Sequence, residues 1–370
     1  MILTVNSGSS SVKLSLFAHA GGKLELRKEL NQATKDQAPA GLLAEFLKAA
    51  DGAPVRLAAH RVVHGGRRLV RTCRIGPAEE KEIDRLAAWA PLHNPPALAW
   101  IRASREVLGS RVPMAAVFDT AFFADLPDAA AQYALPRDLE LEHGIRRYGF
   151  HGTAHRALWK RWCALRPELK DGGRLITLQL GAGCSAAAIL EGKPRDTSMG
   201  FSPLEGLMMA TRSGDIDPGI LLYLQSTLGW TVERIEKLLN RESGLLGLSG
   251  VSADMRTLLG SPEPSARLAV DAFCHRVRKY IGAYLAVLGG ADGIVFGGGI
   301  GEHAATVREQ ILAGMGWCGV ALDSRANASA LGREARISYG NSRVEVWAIP
   351  VDEARVLAEE ALAAVPDFDS

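Results

Sequence analysis

The chain has 370 residues, of which 47% are hydrophobic and 23% are charged, and its formal net charge is +2. This length suits two domains with ample core material, and the composition is that of a globular protein. Such a small net charge gives no overall basic field, so the composition does not favour binding to nucleic acid or to a membrane surface.

The first predicted element is a β-hairpin over residues 2–17. An apolar strand leads into a turn of small polar residues over 6–11, and an alternating strand follows. No basic residues precede the first strand, and the polar turn interrupts its apolar run. We therefore expect no signal peptide in this segment.

Helices and strands alternate along the rest of the chain. Helical periodicity predicts helices over residues 77–89, 96–107, 231–239, 265–288 and 352–364. Short apolar runs predict strands over residues 113–118, 293–296 and 343–350. This alternation predicts α/β layering. The most apolar long segment, 280–300, contains Asp292 and many glycines, so we expect no membrane span.

Residues 175–190 repeat the plan of the N-terminal hairpin, with the turn Gly181-Ala182-Gly183 between two apolar strands. A repeat of this kind indicates two copies of one α/β domain. We expect an N-terminal domain over residues 1–148, to which a C-terminal helix over 354–370 returns. The second domain is expected over residues 149–353.

The cysteines and histidines predict neither disulfides nor zinc. Five dispersed cysteines without a CxxC pair are typical of reduced thiols in a cytoplasmic protein. The pairs His60/His64 and His151/His155 have the spacing of a zinc-binding helix, but no further residues complete a ligand set.

Three turns of small residues, over 6–11, 181–183 and 297–301, each follow a predicted strand. Small residues let backbone N–H groups approach phosphate oxygens, and serine hydroxyls add further donors. The chain has no G-x-x-x-x-G-K-[ST] sequence and no G-x-G-x-x-G predicted to open a helix. The three turns together favour a phosphate-binding site to which both halves of the chain contribute.

Several charged residues accompany these turns. Lys13 follows the first turn, and Arg61 and Arg212 lie among small and apolar neighbours. Asp119 and the pair Asp352-Glu353 follow predicted strands. A carboxylate just past a buried strand can serve Mg²⁺ or a substrate, or it can cap a helix, and position alone leaves both roles open.

The chain resembles the acetate kinase family from end to end. The stretches that carry the resemblance, in the family's order, are NSGSSSVK (6–13), HRVVHGG (60–66), PLHNPP (91–96), FDTAF (118–122), YGFHGTAH (148–155), DTSMGFSPLEGLMMATRSGDIDP (196–218), SGLLGLSGVSADMR (243–256) and RKYIGAYLAVLGGADGIVFGGGIGE (278–302). The resemblance implies two ribonuclease-H-like domains of the acetate and sugar kinase/heat-shock protein/actin superfold, usually as a homodimer.

The resemblance also implies an activity. It implies reversible, ATP-dependent phosphorylation of acetate, or of another short-chain carboxylate, with Mg²⁺ or Mn²⁺ and with ATP/ADP as co-substrate. Small molecules are then the ligands, without nucleic acid or membrane partners. Catalytic roles are implied for Arg61, Asp119, His151 and Arg212.

Further roles follow by the same resemblance. His93 and Gln179 would support the transition state, and Asn6 and Glu353 would bind the metal. The implied substrate pocket contains Arg61, Val63, Leu92, Phe150 and Pro203. The implied nucleotide and phosphate contacts are Ser9, Ser11, Lys13, Gly181, Ala182, Gly183, Asp254, Met255, Arg256, Gly299, Ile300 and Gly301.

The sequence departs from the family pattern at several positions. The usual HLGNG turn reads QLGAG, so Gln179 and Ala182 replace a histidine and an asparagine donor. Phe123 stands where a histidine is usual, His303 follows GIGE in place of asparagine, and the usual TDEE or TNEE reads VDEA over 351–354. Because two donors at the phosphate turn are lost, we expect slower turnover than in a typical relative.

The chemistry leaves more than one function open. A carboxylic acid with a pKa of about 4.3 is already ionised at neutral pH, so the acceptor needs no general base. Asp119 is then better seen as an orienting residue than as a base. The alternatives are a sibling kinase that prefers propionate, a nucleotide-binding sensor that has lost phosphoryl transfer, and a pyrophosphate-dependent enzyme.

Overall fold

The structure, a computed structural model, describes residues 1–8, 11–33, 38–48 and 54–366. Two compact units make up the chain. Unit 1 contains Met1–Ala124, Phe150–Arg156 and Asp352–Ser370, and unit 2 contains Asp125–Gly149 and Ala157–Val351. The placement of domain boundaries at residues 148 and 353 stays a prediction.

Each unit is built on one six-stranded sheet. The strands of unit 1 are β1 (Ile2–Ser7), β2 (Ser11–Ala20), β3 (Lys23–Ala33), β4 (Leu57–Val62), β5 (Cys73–Arg74) and β6 (Met114–Phe118). The strands of unit 2 are β7 (Arg174–Leu180), β8 (Cys184–Leu190), β9 (Lys193–Thr197), β10 (Gly293–Gly297), β11 (Ala335–Arg336) and β12 (Glu345–Ala348).

The two sheets have the same topology. The strand orders are β3-β2-β1-β4-β6-β5 and β9-β8-β7-β10-β12-β11. In each sheet an antiparallel three-stranded meander is extended by two parallel strands, and a short antiparallel strand forms the far edge. The duplication predicted from the two hairpins is thus visible in the order and direction of all twelve strands.

The helices fill the connections between these strands. Their bounds are α1 (Pro39–Lys48), α2 (Pro77–Arg85), α3 (Asn94–Leu108), α4 (Asp128–Ala131), α5 (Arg137–His143), α6 (Gly152–Leu165), α7 (Pro218–Ser226), α8 (Val232–Arg241), α9 (Gly244–Ser249), α10 (Met255–Leu259), α11 (Pro264–Leu288), α12 (Gly298–His303), α13 (Ala305–Leu312), α14 (Ser324–Ser329) and α15 (Glu353–Ala364). Short 3₁₀ turns lie at Leu86–Ala88, Asp119–Phe123, Lys170–Gly172 and Met315–Cys318.

The sheet of unit 1 is covered on both faces. Successive side chains of a strand point to opposite faces, so neighbouring strand residues enter different cores. Leu3 packs in the core that contains residues of α1, α2 and α3, whereas Ile2 packs in the core that contains α15. Strand β6 is wholly apolar, and β4 is apolar except for His60 and Arg61, because both faces of these parallel strands are buried.

In unit 2 the long helix α11 packs on β7, β8 and β9. Trp162 of α6 is fully buried, and its ring lies so close to Gly293 that a Cβ there would come within 2.5 Å of it. Glycine is therefore needed at the start of β10 to let the indole reach the sheet. None of the helices in the described part of the chain combines the length and apolar character that crossing a membrane requires.

Most of the predicted elements are present, with boundaries shifted by a few residues. The main difference concerns the glycine run that was predicted as a turn. Gly298 has a φ of 77°, which only glycine adopts readily, and it directs the chain from β10 into α12. The run therefore opens a helix. The third strands of both meanders were not predicted, because β3 is mostly exposed and rich in charge and β9 is five residues long with a proline at its second position.

Five cysteines lie in the two units, each with a free thiol. Cys184 and Cys274 are buried and the other three are half-buried. Burial raises the pKa of Cys184 to about 12, so this thiol stays protonated at neutral pH.

Two buried histidines make the stability of unit 1 depend on pH. Burial lowers the pKa of His60 and of His155 to about 3. In the unfolded chain a histidine has a pKa of about 6.5, so on acidification the unfolded state binds protons first. The free energy of unfolding should fall below pH 6.5 by up to about 1.4 kcal/mol per pH unit for each histidine.

Urea unfolding between pH 7 and pH 4 checks this prediction. His60→Leu should remove about half of the histidine contribution and flatten the pH dependence, while the exposed His143→Gln should not change it. Parallel stability–pH curves for the wild type and His60→Leu would contradict the prediction.

Candidate active site

Three parallel strands of unit 1 end at the same edge of the sheet, and each carries a polar side chain there. Asn6 lies near the end of β1, Arg61 near the end of β4, and Asp119 directly after β6. Ligands of open α/β sheets bind outside the carboxyl ends of such strands. This edge is therefore where a substrate site is expected.

Five side chains at this edge form a cycle in which each lies within hydrogen-bonding distance of the next, and we call it the polar ring: Asn6, Arg61, Asp119, Thr153 and Glu353. Arg61 donates from Nε to Asp119 Oδ1 (3.0 Å) and from Nη2 to Asp119 Oδ2 (2.5 Å). Its Nη1 donates to Asn6 Oδ1 (2.9 Å), and Asn6 Nδ2 donates to Glu353 Oε2 (2.6 Å). Thr153 Oγ1 lies 2.8 Å from Glu353 Oε1 and 3.0 Å from Asp119 Oδ1 and closes the cycle.

The ion pair within the ring is buried. The side chain of Asp119 is fully buried and that of Arg61 is 13% exposed. Burial alone would raise the pKa of Asp119, but the Arg61 guanidinium lowers it below its usual value. Burial alone would lower the pKa of Arg61, but the Asp119 and Glu353 carboxylates raise it. Both groups are therefore charged at neutral pH, and a bidentate pair fixes their orientation.

The side-chain contacts show which of the predicted carboxylates cap helices. Asp352 caps α15, because its Oδ1 accepts a hydrogen bond from the backbone N–H of Arg355 (3.0 Å). Glu353 instead turns into the polar ring. Asp119 makes no cap, since its oxygens are engaged by Arg61, Thr153 and the backbone of His151.

The segment before α6 is shaped around Asp119. His151 has a φ of 56°, an unusual value for a residue with a side chain, and its N–H donates to Asp119 Oδ2 (3.2 Å). The next residue, Gly152, lies so close to the Asp119 carbonyl that a Cβ would come within 1.9 Å of the oxygen. Strained backbone of this kind is typical of functional sites.

The loop that follows Arg61 is held by two buried polar residues. Asn94 Oδ1 accepts from the backbone N–H of His64 (3.2 Å), and its Nδ2 donates to the His64 carbonyl (3.1 Å). Thr120 Oγ1 accepts from the N–H of Gly65 (3.0 Å). Neither residue was predicted to have a role at the site, although Asn94 lies in the stretch PLHNPP and Thr120 in FDTAF.

The apolar residues predicted for the substrate pocket lie in both units. In unit 1, Val63 and Phe150 are buried and Leu92 is half-buried, and the Phe150 ring packs edge-on against His64 with centroids 5.4 Å apart. His93 precedes α3 as its N-cap residue. Pro203 belongs to unit 2, so its membership of the pocket stays a prediction.

The first phosphate turn is only partly described. The backbone N–H of Gly8 donates to the Ser11 carbonyl (2.8 Å), and Lys13 Nζ forms an ion pair with Glu29 Oε2 (3.0 Å). The side chains of this pair are 34% and 39% exposed, so the pair contributes little to stability. Ser9, predicted to bind phosphate, lies outside the described residues.

In unit 2 the two glycine turns lie together. A Cβ on Gly181 would come within 3.9 Å of the N atom of Gly299, and a Cβ on Gly298 would meet Gln179 Nε2 at 3.0 Å. The structure thus brings Gln179, predicted to support the transition state, close to the two turns predicted to bind nucleotide and phosphate, 181–183 and 299–301. The buried Oε1 of Gln179 has no hydrogen-bond partner among the described residues.

Arg212 lies beside the first of these turns. Ala210, two residues earlier, donates its N–H to the Ala182 carbonyl (3.0 Å) and so places this segment against the turn. Arg212 Nη1 donates to the Pro203 carbonyl (2.5 Å). Partial burial lowers the pKa of Arg212, and within the part of the chain that the structure describes no carboxylate forms an ion pair with it. A half-buried cation without a counter-ion is suited to bind an anion.

The residues predicted to surround adenosine fall on different elements. Asp254 is the N-cap of α10 and accepts from the N–H of Thr257 (2.9 Å). Met255 is buried and Arg256 is exposed on that helix. Since α10 packs on α11 and the turn at 299–301 packs on β7 and β10, a common adenosine site stays a prediction.

Two further residues hold the glycine turn and were not predicted. Glu302 Oε1 accepts from the N–H groups of Gly298 (3.0 Å) and Val351 (3.1 Å). Arg308 is fully buried, and it donates to the carbonyls of Gly301 (2.8 Å) and Glu302 (3.0 Å). No sequence pattern predicts these hydrogen bonds, because each one joins a side chain to a backbone group.

The polar ring offers ligands that suit a divalent cation such as Mg²⁺. Its donor set consists of carboxylate and amide oxygens, which hard cations prefer, and Mg²⁺ is usually held by one or two carboxylates together with substrate phosphates. The described residues contain no group of three His, Cys, Asp or Glu side chains that could hold a metal alone. Asn6 and Glu353 therefore fit a cation that arrives with a nucleotide.

The close approach of Gly152 to Asp119 predicts a large cost for a side chain there. Gly152→Ala should lower the free energy of unfolding by at least about 1–3 kcal/mol, the usual cost of overpacking, because the new Cβ collides with the backbone. Urea unfolding measures the change. Gly282→Ala in α11 is the matched control: its Cβ meets nothing within 4 Å, so it should be neutral or stabilise by up to about 1 kcal/mol. Equal effects of the two substitutions would contradict the prediction.

Comparison with known proteins assigns the family. A model of the Acetokinase family matches residues 20–359. The chain is 47% identical over 311 residues to a protein named acetate kinase from Chloroherpeton thalassium, a match that covers 83% of this chain and 75% of the relative.

Solved structures agree with this assignment. The crystal structure of Porphyromonas gingivalis acetate kinase aligns with a TM-score of 0.87 and 35% identity, covering 98% of this chain and 99% of that one. A propionate kinase from Francisella tularensis aligns with the same TM-score and 33% identity, with the same coverage. The predicted superfold is thereby confirmed. The chain belongs to the acetokinase family and is a phosphotransferase with a carboxyl group as acceptor.

Proposed function

We propose that this protein phosphorylates acetate, or another short-chain carboxylate, reversibly at the expense of ATP. A carboxylate oxygen attacks the γ-phosphorus, the bond between that phosphorus and the bridging oxygen breaks, and its electron pair leaves with ADP. The products are an acyl phosphate and ADP. The observation that carries the proposal is the buried polar ring at the carboxyl ends of three parallel strands.

The main obstacle to this reaction is electrostatic. Two unit negative charges about 4 Å apart repel each other by roughly 4 kcal/mol at an effective dielectric constant near 20. We assign the guanidinium groups of Arg61 and Arg212 to offsetting this repulsion. The bonds described above use three of the five N–H groups of Arg61 and one of those of Arg212. The remaining N–H groups are donors for carboxylate or phosphoryl oxygens.

The role of Asp119 follows from its contacts. The acceptor acid is ionised at neutral pH and needs no general base. Asp119 accepts two bonds from Arg61 and one from the backbone of His151, so its lone pairs are largely used. We assign Asp119 to orienting Arg61 and the 151–153 segment, and His151 to the phosphoryl group. Positioning and charge stabilisation then account for catalysis by direct, in-line transfer.

A divalent cation would complete the charge balance. When bound, Mg²⁺ or Mn²⁺ neutralises phosphate charge, and Asn6 and Glu353 are the residues that would hold it. Lys13, Ser9, Ser11 and the turn at 181–183 are assigned to phosphates. The turn at 299–301 and residues 254–256 are assigned to adenosine, so ATP is favoured over pyrophosphate.

The preferred acid is the finer question. We assign the acyl group to Val63, Leu92, Phe150 and Pro203, with Arg61 on its carboxylate. A propionate-preferring enzyme is the second candidate, because a solved structure that is equally similar by TM-score is that of a propionate kinase.

The assembly and location are part of the proposal. Helix α7 buries none of its residues, and Ile220, Leu222 and Tyr223 on it are 45–67% exposed. Apolar surface of this kind supports an interface with a second copy of the chain. We propose a homodimer in the cytoplasm, where the free thiols would stay reduced.

Leu222→Glu should then shift the mass measured by light scattering to that of a monomer, whereas an unchanged mass would exclude this face.

The activity can be tested directly. Purified protein, ATP and Mg²⁺ are incubated with a series of C1 to C4 acids, and the acyl phosphate is trapped as a hydroxamate. We expect turnover that is highest with acetate. Highest turnover with propionate would establish the second candidate. Binding of ATP without any hydroxamate would identify a nucleotide sensor and overturn the proposal.

The altered phosphate turn predicts a rate effect. Ala182 is exposed, so Ala182→Asn can restore the missing donor without a steric clash. Removing one such donor can reduce turnover by about 10²- to 10³-fold, so restoring it should raise kcat severalfold or more. Ala182→Ser, a smaller donor, serves as the intermediate case. No gain in kcat with either variant would show that another group has replaced the donor.

A further inference from the structure

Thr153 occupies an unusual place between two carboxylates. Its hydroxyl oxygen lies 2.8 Å from Glu353 Oε1 and 3.0 Å from Asp119 Oδ1. The residue is 2% exposed, so water does not compete freely for this hydroxyl. Glu353 is 200 residues away in the chain, and Thr153 is the link that brings it to Asp119.

One hydroxyl proton cannot serve both carboxylates. A threonine hydroxyl donates a single hydrogen bond and offers lone pairs in its other directions. Asp119 is already well supplied with donors, since Arg61 and the His151 backbone donate to it. Glu353 Oε2 accepts from Asn6, whereas Oε1 has Thr153 as the donor given by the described contacts. The hydroxyl therefore donates to Glu353 Oε1, which is the nearer of the two carboxylate oxygens and belongs to the carboxylate with fewer donors.

The oxygen of Thr153 cannot move far from this place. A β-branched side chain has few rotamers, and the residue before it, Gly152, is packed against the Asp119 carbonyl. Only the proton is mobile, because it can rotate about the Cβ–Oγ1 bond. Because the oxygen is fixed, the hydroxyl stays within hydrogen-bonding distance of Glu353 Oε1.

We propose that Thr153 is a positioning residue for Glu353: its hydroxyl donates to Oε1 and holds that carboxylate in the orientation that a divalent cation requires. The inference rests on the proposed function for the cation's role with nucleotide. In this role Thr153 fixes the distance between the carboxylates of Asp119 and Glu353 and does not itself touch the substrate. Side chains that orient a metal ligand typically contribute 10- to 100-fold to metal affinity.

The test compares Thr153→Val, which keeps the shape and removes the hydroxyl, with Thr153→Ser, which keeps the hydroxyl. Mn²⁺ affinity is measured in the presence of ADP by the electron paramagnetic resonance signal of free Mn²⁺. Thr153→Val should weaken Mn²⁺ binding at least about 10-fold, and Thr153→Ser should stay within about 3-fold of the wild type. In the acetate assay, kcat should fall with Val while the KM for acetate changes little.

A structural control separates positioning from folding. Thr4 in β1 is also buried, and its hydroxyl donates to the Ser15 carbonyl (3.5 Å). Thr4→Val should therefore leave Mn²⁺ affinity unchanged. If Thr153→Val does not fold, the pair Thr153→Ala and Thr153→Ser, which differ by one oxygen atom, carries the same comparison.

The outcomes distinguish this inference from the proposed function. Equal Mn²⁺ affinity in the hydroxyl-free variant and the wild type, or an equal loss with serine, overturns the role of Thr153. A wild type that forms no acyl phosphate but shows the expected difference in Mn²⁺ affinity overturns the proposed function alone. No Mn²⁺ binding by the wild type with ADP overturns the inference.

Discussion

The buried ion pair between Arg61 and Asp119 constrains the whole candidate site. A guanidinium and a carboxylate that are removed from water require full hydrogen bonding, since an unpaired buried charge would cost several kcal/mol. This requirement explains the unusual backbone at His151, whose N–H is supplied to Asp119, and the glycine that follows it. Of the three remaining ring residues, Asn6 and Glu353 extend the network to the end of β1 and the start of α15, and Thr153 lies between Glu353 and Asp119.

The repeated sheet topology explains why the residues assigned to the proposed site occur at corresponding places in the two units. In unit 1 they lie near the ends of β1 and β4 and directly after β6, and in unit 2 they lie at the end of β7 and after β7 and β10. The two places differ in chemistry, however. Unit 1 presents charged side chains, whereas unit 2 presents small-residue turns with Gln179 beside them. Small residues allow close backbone contact with a ligand, which charged side chains do not.

Much of this arrangement could be predicted from local patterns. The apolar runs of β6 and β10 and the periodicity of α11 give strands and helices directly, and motif resemblance identified the family. Thr153 and Arg308 could not be predicted, because their partners are chain-distant oxygens or backbone carbonyls. Likewise, position alone could not tell that Asp352 caps α15 while Glu353 enters the ring. Adjacent carboxylates look alike until the direction of each side chain is known.

The carboxylate of Glu302 joins two distant stretches of unit 2. Its Oε1 accepts from the N–H of Gly298, where the glycine turn begins, and from the N–H of Val351. Because one oxygen serves both N–H groups, shortening this side chain to aspartate would leave two backbone donors unsatisfied at once. The conformation of the glycine turn and that of the segment after β12 therefore depend on the same side chain.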